Sequence, residues 1–322
     1  MDWRPSSTLA ASQARAGLLG AIREYMASQK VLEVSTPTLV TAPVTEPNIE
    51  SLTAHGRTVD SKWFLRTSPE YAMKRLLAAG WPDIYELGPV YRDGEVGNRH
   101  QPEFWMLEWY RHDYSLPQIV EDTVALLGAA LVGSGGRTVH QTVAKTYDEW
   151  LMHEVNVMSD CALETLCTIA GPDTARTFGQ DRDALLGWLF DTHIASTFAE
   201  DQFSVVTHFP ASQAALATIE QDSGRALRFE IYLGSLEIAN GFVELTDAEE
   251  QRARFERDNA VRIARGLRPL EIDDAFLEAL QAGLPPCSGV AVGIERVLMF
   301  ALETAHIGHT VTFAHSKRHS HD

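Results

Sequence analysis

Cysteine is scarce in this sequence, which has three in 322 residues: Cys161, Cys167 and Cys287. The number is odd and no spacing matches a set of metal ligands, so the cysteines indicate neither a disulfide framework nor a zinc site. We therefore expect all three to be reduced and to have structural roles.

Long apolar runs are absent as well. No stretch of about 18 uninterrupted apolar residues is available to span a bilayer, and the N-terminal residues MDWRPSSTLAAS lack the apolar segment of a secretory signal. The sequence therefore predicts a cytoplasmic protein without a membrane partner.

Basic side chains are outnumbered, 27 against 44 acidic ones, and the formal net charge is −17. Such a field repels polyphosphate at long range, and Lys and Arg cluster only in the last residues, HSKRHSHD. No stable binding of tRNA is therefore expected. The histidines of that tail, His315, His319 and His321, are interpreted as part of a solvated terminus, with adventitious metal binding as the alternative.

What is present is the composition of an ordinary globular chain, with 45% hydrophobic residues. Helical patterns cover residues 9–29, 117–132, about 147–200 and parts of 247–283. Two strand pairs lie among them, DIYELGPVYRD with EFWMLEWYR and RFEIYL with LEIANGF. Because the strands pair as hairpins and the helices come in separate blocks, we predict an α+β fold around an antiparallel sheet.

The first helix carries one apolar stripe, formed by Leu18, Ile22, Tyr25 and Met26. A β-branched run, VLEVSTPTLV, follows it. Pro37 within that run would interrupt a central ladder, so the segment is expected at a sheet edge or at a subunit boundary.

The segment YRDGEVGNRHQPEFWMLEWY interleaves charged and aromatic side chains. Alternation along EFWMLEWYR places Phe104, Glu108 and Tyr110 on one face of a strand. Phe104 and Glu108 are about 13 Å apart at ~3.3 Å per residue, so one strand can hold a ring at one end and a cation at the other. An aromatic hairpin whose charges lie in solvent is the alternative.

The second hairpin brings two acids together. A two-residue turn at Gly234 and Ser235 pairs Tyr232 with Glu237 and makes Glu230 and Glu237 diagonal neighbours on one face. Two such carboxylates repel each other unless a cation lies between them, and they suit Mg²⁺ that also carries phosphate. A wet face without a metal is the alternative.

A third element, GVAVGIER, is a small-residue strand that runs into a helix. Gly289 and Gly293 allow a backbone to approach a ligand closely, and Arg296 lies in the first helical turn, where the helix dipole favours an anion. Turns of this kind also occur for packing reasons alone.

The segments VLEVSTPTLV, YRDGEVGNRHQPEF with MLEWY, and GVAVGIER, in this order, resemble the three motifs of the class II aminoacyl-tRNA synthetases. TSPEYAMKRLL, HQPEFWMLEWY and EIANGFVEL resemble the lysyl branch, and the likeness extends from about residue 12 to about residue 305. A lysyl-tRNA synthetase has an anticodon-binding barrel before these motifs, for which this sequence leaves no room. We expect one catalytic domain over residues 1–322, similar to the elongation factor P lysyltransferases, which HFPASQAALA also resembles.

The resemblance implies that ATP and the amino acid form an adenylate. It assigns Arg92 to the α-phosphate and the substrate carboxylate, His100 and Arg296 to the β- and γ-phosphates, and Phe104 to adenine stacking. Arg92 and Arg296 are thus the expected catalytic residues. Glu230 and Glu237 are assigned to Mg²⁺, and Glu237 thereby also to the nucleotide.

A lysine-type substrate carries two ammonium groups, whose pocket needs buried carboxylates at two separate points. The resemblance assigns Glu70, Glu108 and Glu244 to these amines. The other assigned substrate contacts are Ser68, Tyr110, Asn240 for the carboxylate, Ala291 and Gly293. For Glu70 the alternative is a capping box with Thr67, and for Glu244 it is a surface acid.

Strict alternation places Asn240 on the face opposite to Glu237. If both line a site, the strand must bulge near Ala239 to Gly241, where a glycine makes a bulge inexpensive. A regular ladder through these residues would contradict the assignment of Asn240.

Two positions depart from the lysyl-tRNA synthetases. Gly94 stands where the family has a glutamate that contacts the edge of adenine, so Asp93 or Glu95 would have to replace it, or adenine is held by stacking and backbone alone. Ala291 stands where those synthetases have glycine, and the likeness then favours R-β-lysine over α-lysine.

The leading hypothesis is an AMP-forming ligase that activates lysine or R-β-lysine with ATP and transfers it to a lysine of elongation factor P. One alternative is a truncated lysyl-tRNA synthetase-like enzyme that acts on tRNA or forms a free amide. Another is a non-catalytic amino-acid-binding regulator, which Gly94 favours. First-motif helices of the family form two-fold interfaces, so the resemblance also implies a homodimer.

Overall fold

The computed structural model describes residues 3–56, 62–151, 163, 165, 168, 171 and 181–315. Two compact units lie within the chain, unit 1 in Met1–Thr138 and Val243–Asp322 and unit 2 in Val139–Phe242. Cys161, Cys167, His319 and His321 lie outside the described residues, and the predictions for them remain predictions. Cys287 is a buried free cysteine, and burial raises the pKa of its thiol, in keeping with a structural role.

Helices and strands are interspersed along the described part of the chain. The helices are α1 (Leu9–Ser28), α2 (Glu70–Ala78), α3 (Leu116–Ser134), α4 (Tyr147–Trp150), α5 (Arg182–Leu189), α6 (Ala248–Ala264), α7 (Asp274–Gly283) and α8 (Ile294–Ala301). The strands are β1 (Leu32–Glu33), β2 (Leu39–Val40), β3 (Thr53–His55), β4 (Lys62–Leu65), β5 (Ile84–Tyr91), β6 (Glu103–His112), β7 (Gln141–Thr146), β8 (Gln202–Pro210), β9 (Arg225–Leu233), β10 (Leu236–Val243) and β11 (Cys287–Gly293).

Unit 1 contains the strands β1, β5, β6 and β11, hydrogen-bonded in that order, and a small second sheet with the order β2-β4-β3. The predicted β5–β6 hairpin is confirmed, and β11 pairs antiparallel with the other side of β6. β1 has β5 as its neighbour and lies at the sheet edge, as the proline in the following segment predicted. The small sheet was not predicted.

Unit 2 contains the strands β10, β9, β8 and β7, in that order. β9 and β10 form the predicted hairpin, in which Leu233 pairs with Leu236 and leaves the two turn residues between them. The predicted antiparallel pairing is confirmed for β5–β6, β6–β11, β8–β9 and β9–β10, while β1–β5 and β7–β8 run parallel. In both pairs a long stretch of chain separates the partners, as a parallel connection requires.

Helix α1 confirms its predicted stripe. Leu18, Ile22 and Met26 are fully buried. The Thr8 hydroxyl caps the helix by accepting a hydrogen bond from the backbone N–H of Ala11. α1 packs against α3 so closely that a Cβ added at Gly17 would lie 2.2 Å from the carbonyl oxygen of Gly133. Glycine on both helices therefore permits this contact.

Among the described residues, α3 is the one helix that is long and apolar enough to cross a membrane by length and composition, with a mean hydropathy of 1.3. Core helices of soluble proteins have the same properties. Leu126, Leu127 and Leu131 of α3 are fully buried within the protein, so this helix is weak evidence for a membrane span.

An aromatic core supports β9 in unit 2. The ring centres of Tyr147 and Phe190 are 5.0 Å apart, and those of Phe198 and Tyr232 are 5.3 Å apart. Residues 190–194 form a π-helical turn that continues α5. Tyr232 is thereby fixed by its ring, while its hydroxyl extends to a neighbouring acid described below.

Candidate active site

Two of the predicted substrate contacts of unit 1, Glu244 and Tyr110, meet at one glycine of β11. Gly289 pairs with Tyr110, and Ala291 pairs with Glu108 across the β6–β11 ladder. A Cβ added at Gly289 would lie 2.4 Å from Glu244 Oε1 and 2.4 Å from Tyr110 Cε1. The close approach predicted at Gly289 therefore exists, but the groups that approach it are side chains of the protein itself.

Lys74 of α2 lies between two of the acids. Its Nζ is 2.6 Å from Glu70 Oε1 and 2.6 Å from Glu244 Oε2, and its side chain is 1% exposed. The alternative of a capping box at Glu70 is wrong, because the Glu70 carboxylate binds Lys74 while the Glu70 N–H donates to Ser68 Oγ at 3.0 Å. Glu244 is equally buried, so its interpretation as a surface acid is wrong too.

The carboxylate of Glu108 accepts two short hydrogen bonds. Ser68 Oγ donates to Oε2 at 2.6 Å and the Tyr110 hydroxyl donates to Oε1 at 2.5 Å. Glu108 and Tyr110 are two residues apart on β6 and share a face, as alternation predicted. The alternative of an aromatic hairpin with its charges in solvent is wrong for Glu108, which is 3% exposed.

Burial dominates the electrostatics of this pocket. It raises the pKa of Glu108 to about 7, with the neighbouring charge of Glu70 acting in the same direction. It raises the pKa of Glu244 to about 8, although Lys74 opposes the shift. With all three acids ionised and Lys74 protonated the group carries two net negative charges, which a ligand with two ammonium groups would neutralise.

The amino-acid sequence of α2 does not by itself mark Lys74 as a member of the site. The one available signal is its spacing, because Glu70 and Lys74 are four residues apart and adjoin each other on a helix. Three carboxylates in one buried pocket repel one another, so a cation is needed beside the glutamate of this helix.

The predicted nucleotide-binding residues of unit 1 lie in and beside the β5–β6 connection. Arg92 stacks over Phe104, with its Cζ 5.2 Å from the ring centre, and its Nη1 is 3.7 Å from Glu95 Oε1. The Arg92 backbone N–H donates to Pro102 O at 2.9 Å, which closes the base of the connection. One face of the Phe104 ring is thus already covered by a guanidinium in this structure.

Arg296 of α8 reaches the same connection, where its Nη2 lies 2.7 Å from His100 Nε2. Gly293 is the N-cap residue of α8, so Arg296 occupies the first turn as the sequence predicted. Gly94 has a φ of +77°, a backbone conformation that favours glycine over the glutamate of the family.

In unit 2 the hairpin register brings the three remaining predicted residues to one face. Glu237 pairs with Tyr232 and Asn240 pairs with Glu230, because the register shifts between Glu237 and Ala239. The predicted bulge is therefore confirmed, although it begins earlier on β10 than Ala239. Glu230 is 7% exposed, so the alternative of a wet face is wrong for this acid.

Glu230 is held by two neighbours on β9. Arg228 Nη2 forms an ion pair with Oε1, and the Tyr232 hydroxyl donates to Oε2 at 2.5 Å. Burial raises the pKa of Glu230 to about 7, Arg228 lowers it and Glu237 raises it. Arg228 was not singled out in the sequence, where it reads as an ordinary exposed cation of a strand.

The residues of unit 2 fit magnesium only as part of a nucleotide complex. In the part of the chain that the structure describes, no group of three or more His, Cys, Asp or Glu is placed to hold a metal ion. Glu230 and Glu237 supply two carboxylates, and Mg²⁺ usually completes such a site with phosphate oxygens and water.

A cavity of about 330 Å³ lies elsewhere in unit 1. Thr36, Arg66, Glu86 and Trp105 are among its lining residues, and none of the predicted site residues is. Arg66 and Glu86 form a buried ion pair at 2.7 Å, and Thr36 donates to Glu86 through its hydroxyl at 2.7 Å. This network joins β5 to the segment after β1 and is structural.

Comparisons with known proteins identify the family of this chain. The family model described as "tRNA synthetases class II (D, K and N)" matches residues 1–317. A protein of Vibrio parahaemolyticus named elongation factor P--(R)-beta-lysine ligase is 39% identical over 331 residues, which cover 97% of this chain and 98% of the relative. Proteins of the same name from Proteus mirabilis and Klebsiella pneumoniae are 40% and 39% identical, with 97% of both chains covered. The chain therefore belongs to the class II tRNA synthetase family.

Proposed function

We propose that this protein is an ATP-dependent ligase that activates R-β-lysine and attaches it to a lysine side chain of elongation factor P. The observation that carries the proposal is the acid pocket of unit 1, in which Glu70, Glu108 and Glu244 face a single cation, Lys74. Such a pocket suits an amino acid with two ammonium groups, and the three relatives are named for this reaction.

In the first step a carboxylate oxygen of the amino acid attacks the α-phosphorus of ATP. The bond between that phosphorus and the bridging oxygen breaks, and pyrophosphate leaves with the electron pair. Positioning and charge neutralisation govern such a step. Arg92 would bind the α-phosphate, while His100 and Arg296 would bind the outer phosphates and Phe104 would stack on adenine, with Glu95 beside it.

The acid pocket would bind the two ammonium groups. Glu108 and Glu244 would accept from one each, Glu70 would assist, and the hydroxyls of Ser68 and Tyr110 would keep the Glu108 carboxylate in place. Gly293 on β11 would let the protein backbone approach the substrate closely, and Ala291 on the same strand would limit the room beside it. The methyl group of Ala291, paired with Glu108, would favour the β-isomer over α-lysine.

Asn240 would donate its NH₂ group to the substrate carboxylate. Glu230 and Glu237 would bind Mg²⁺, which supplies positive charge for the phosphate oxygens when it is bound with ATP.

In the second step the neutral amine of the acceptor lysine attacks the acyl carbon of the adenylate. An amide bond forms, the acyl–phosphate bond breaks, AMP leaves and the amine loses a proton. The acceptor in this step is a protein side chain and not a polynucleotide, so no large basic surface is required of a chain with a net charge of −17.

The experiment is exchange of labelled pyrophosphate into ATP with R-β-lysine, α-lysine and ornithine, followed by transfer of the labelled amino acid to elongation factor P or to tRNA. We expect exchange to be fastest with R-β-lysine and the label to appear on elongation factor P. Label on tRNA would indicate the truncated-synthetase alternative. No exchange with any of the amino acids would indicate a regulatory amino-acid-binding protein.

A homodimer and a cytoplasmic location belong to the same proposal, as does a single catalytic domain formed by the whole chain. Leu32 and Leu39, which flank Pro37, are 45% and 46% exposed, and burial of these side chains at a two-fold interface would remove apolar surface from water. A monomeric mass in light scattering at micromolar concentration would contradict the dimer.

A further inference from the structure

Arg228, a partly buried cation of unit 2, has no role in the reaction described above. Arg228 on β9 donates from Nε to Asn240 Oδ1 at 3.2 Å, from Nη1 to the backbone oxygen of Gln213 at 2.9 Å, and from Nη2 to Glu230 Oε1. Its Cζ lies 4.5 Å from the ring centre of Phe209. Three acceptors and a ring therefore hold the guanidinium in one orientation.

The bond from Arg228 determines which way the amide of Asn240 points. A guanidinium nitrogen can only donate a hydrogen bond, so the amide atom that faces Nε must be the oxygen. The NH₂ group of Asn240 then points away from Arg228. Without the guanidinium, the amide could rotate and present its oxygen instead.

We infer that Arg228 is a positioning residue that holds Asn240 with its NH₂ group toward the carboxylate of the amino acid substrate. The inference rests on the proposed function, which assigns Asn240 to that carboxylate. A carboxylate only accepts hydrogen bonds, so an amide presenting its NH₂ group binds it and an amide presenting its oxygen repels it.

A lysine could not replace this arginine. Arg228 donates to Asn240 from Nε and to Glu230 from Nη2. These two nitrogens belong to one planar guanidinium, so their relative positions are fixed. A lysine has a single ammonium on a flexible stem and cannot reproduce that fork. Arg228→Lys is therefore expected to behave like Arg228→Met toward the substrate.

The experiment compares Arg228→Met, Arg228→Lys, Asn240→Ala and the double variant Arg228→Met with Asn240→Ala. Arg225→Met is the matched control, because Arg225 lies on the same strand and forms an ion pair with Asp148. For each protein we would measure the dissociation constant of R-β-lysine by calorimetry, KM and kcat in pyrophosphate exchange, and the melting temperature.

Each of the single variants at Arg228 and Asn240 is expected to raise the dissociation constant and the KM of the amino acid about tenfold, as loss of one charge-assisted hydrogen bond does. In Asn240→Ala the KM of ATP should stay within about twofold, whereas in Arg228→Met it is expected to rise as well, because Arg228 also pairs with Glu230. Arg225→Met should bind the amino acid as the unaltered protein does. Because Arg228 acts through Asn240, the double variant should be no weaker than Asn240→Ala alone.

The inference would be overturned if the dissociation constant of the amino acid rose in the double variant by the product of the two single effects. It would also be overturned if Arg228→Met raised the KM of ATP but not that of the amino acid, or if it lowered only the melting temperature. Failure of the proposed function is distinguishable from these. If the unaltered protein binds R-β-lysine but shows no exchange, the proposed reaction is wrong, while the dissociation constants still measure the coupling of Arg228 with Asn240.

Discussion

Arg296 Nη2 lies 2.7 Å from His100 Nε2. A guanidinium has no lone pair with which to accept, so Nε2 must accept, and the imidazole is neutral with its proton on Nδ1. The pair thus carries one positive charge, and the histidine orients the arginine at the start of α8, where the helix dipole adds to the attraction for an anion.

Replacement of His100 is expected to weaken ATP binding without affecting the amino acid. His100→Ala removes the acceptor that orients Arg296 and should raise the KM of ATP about tenfold, whereas His100→Gln keeps an acceptor and should raise it about threefold. Pyrophosphate exchange at varied ATP measures both. His55→Ala, at an exposed position of β3, is the control, and an increase confined to the KM of the amino acid would refute the assignment.

Amino acid binding is expected to strengthen as the pH rises from about 6.5 to 8.5. Glu108 and Glu244, with pKa values of about 7 and about 8, are partly protonated in the ligand-free protein at neutral pH. A ligand with two ammonium groups binds their ionised forms, so binding releases protons and is opposed by low pH. Affinity should change up to about tenfold per pH unit for each proton released.

Calorimetry at pH 7.5 in two buffers of different ionisation enthalpy would measure this release directly. The enthalpies of R-β-lysine binding should differ between the buffers, and the difference should decrease in Glu244→Gln. Glu249→Gln, on the exposed face of α6, should behave as the unaltered protein. Equal enthalpies in both buffers would show that the acids are ionised before the ligand binds.

Gly289→Ala is expected to abolish amino acid binding while leaving ATP binding intact. The added methyl group would lie 2.4 Å from both Glu244 and Tyr110, so at least one of these side chains must move out of the pocket. We expect the dissociation constant of R-β-lysine to rise by a factor of ten or more.

The control for this substitution is Gly128→Ala in α3, where an added Cβ would meet no atom within 4 Å. That variant should bind R-β-lysine normally and gain up to about 1 kcal/mol of stability from the higher helix propensity of alanine. Normal binding by Gly289→Ala would mean that Glu244 and Tyr110 do not meet at Gly289 in solution.

Gly94→Glu is expected to raise the KM of ATP, even though it restores the residue that the family carries. The positive φ at Gly94 costs any side chain about 1 kcal/mol or more, and the Gly94 N–H donates to Asp93 Oδ1 at 2.8 Å in the present loop. Gly94→Asn should be milder, because asparagine tolerates this region better. A tenfold fall in the KM of ATP for Gly94→Glu would show that the loop rearranges and that the glutamate contacts adenine.

The elements that could be predicted are those governed by neighbouring residues. The stripe of α1 follows the helical period, and the register of Glu237 with Tyr232 follows from a turn of two residues. The bulge on β10 could be predicted because an acid and an amide three residues apart were both assigned to one face. These inferences need no knowledge of distant parts of the chain.

The features that escaped prediction depend on distant parts of the chain. Lys74 and Arg228 are charged residues that composition places at the surface. Only the acids beside them explain why Lys74 is buried and Arg228 partly buried. Glu244, one partner of Lys74, lies 170 positions away in the sequence, as the residue numbers give by subtraction. The parallel partners β7 and β8 are likewise separated by more than 50 residues, so no local signal reports their pairing.

The bulge between Glu237 and Ala239 has a consequence for how related chains are compared. It reverses the odd–even rule for every residue of β10 that follows, so a relative with a regular strand would need one residue fewer to present the same acid and the same amide together. In this hairpin, equivalent positions are those whose side chains lie on the same face of the sheet. A sequence alignment without a gap at the bulge would match Asn240 with a residue on the opposite face.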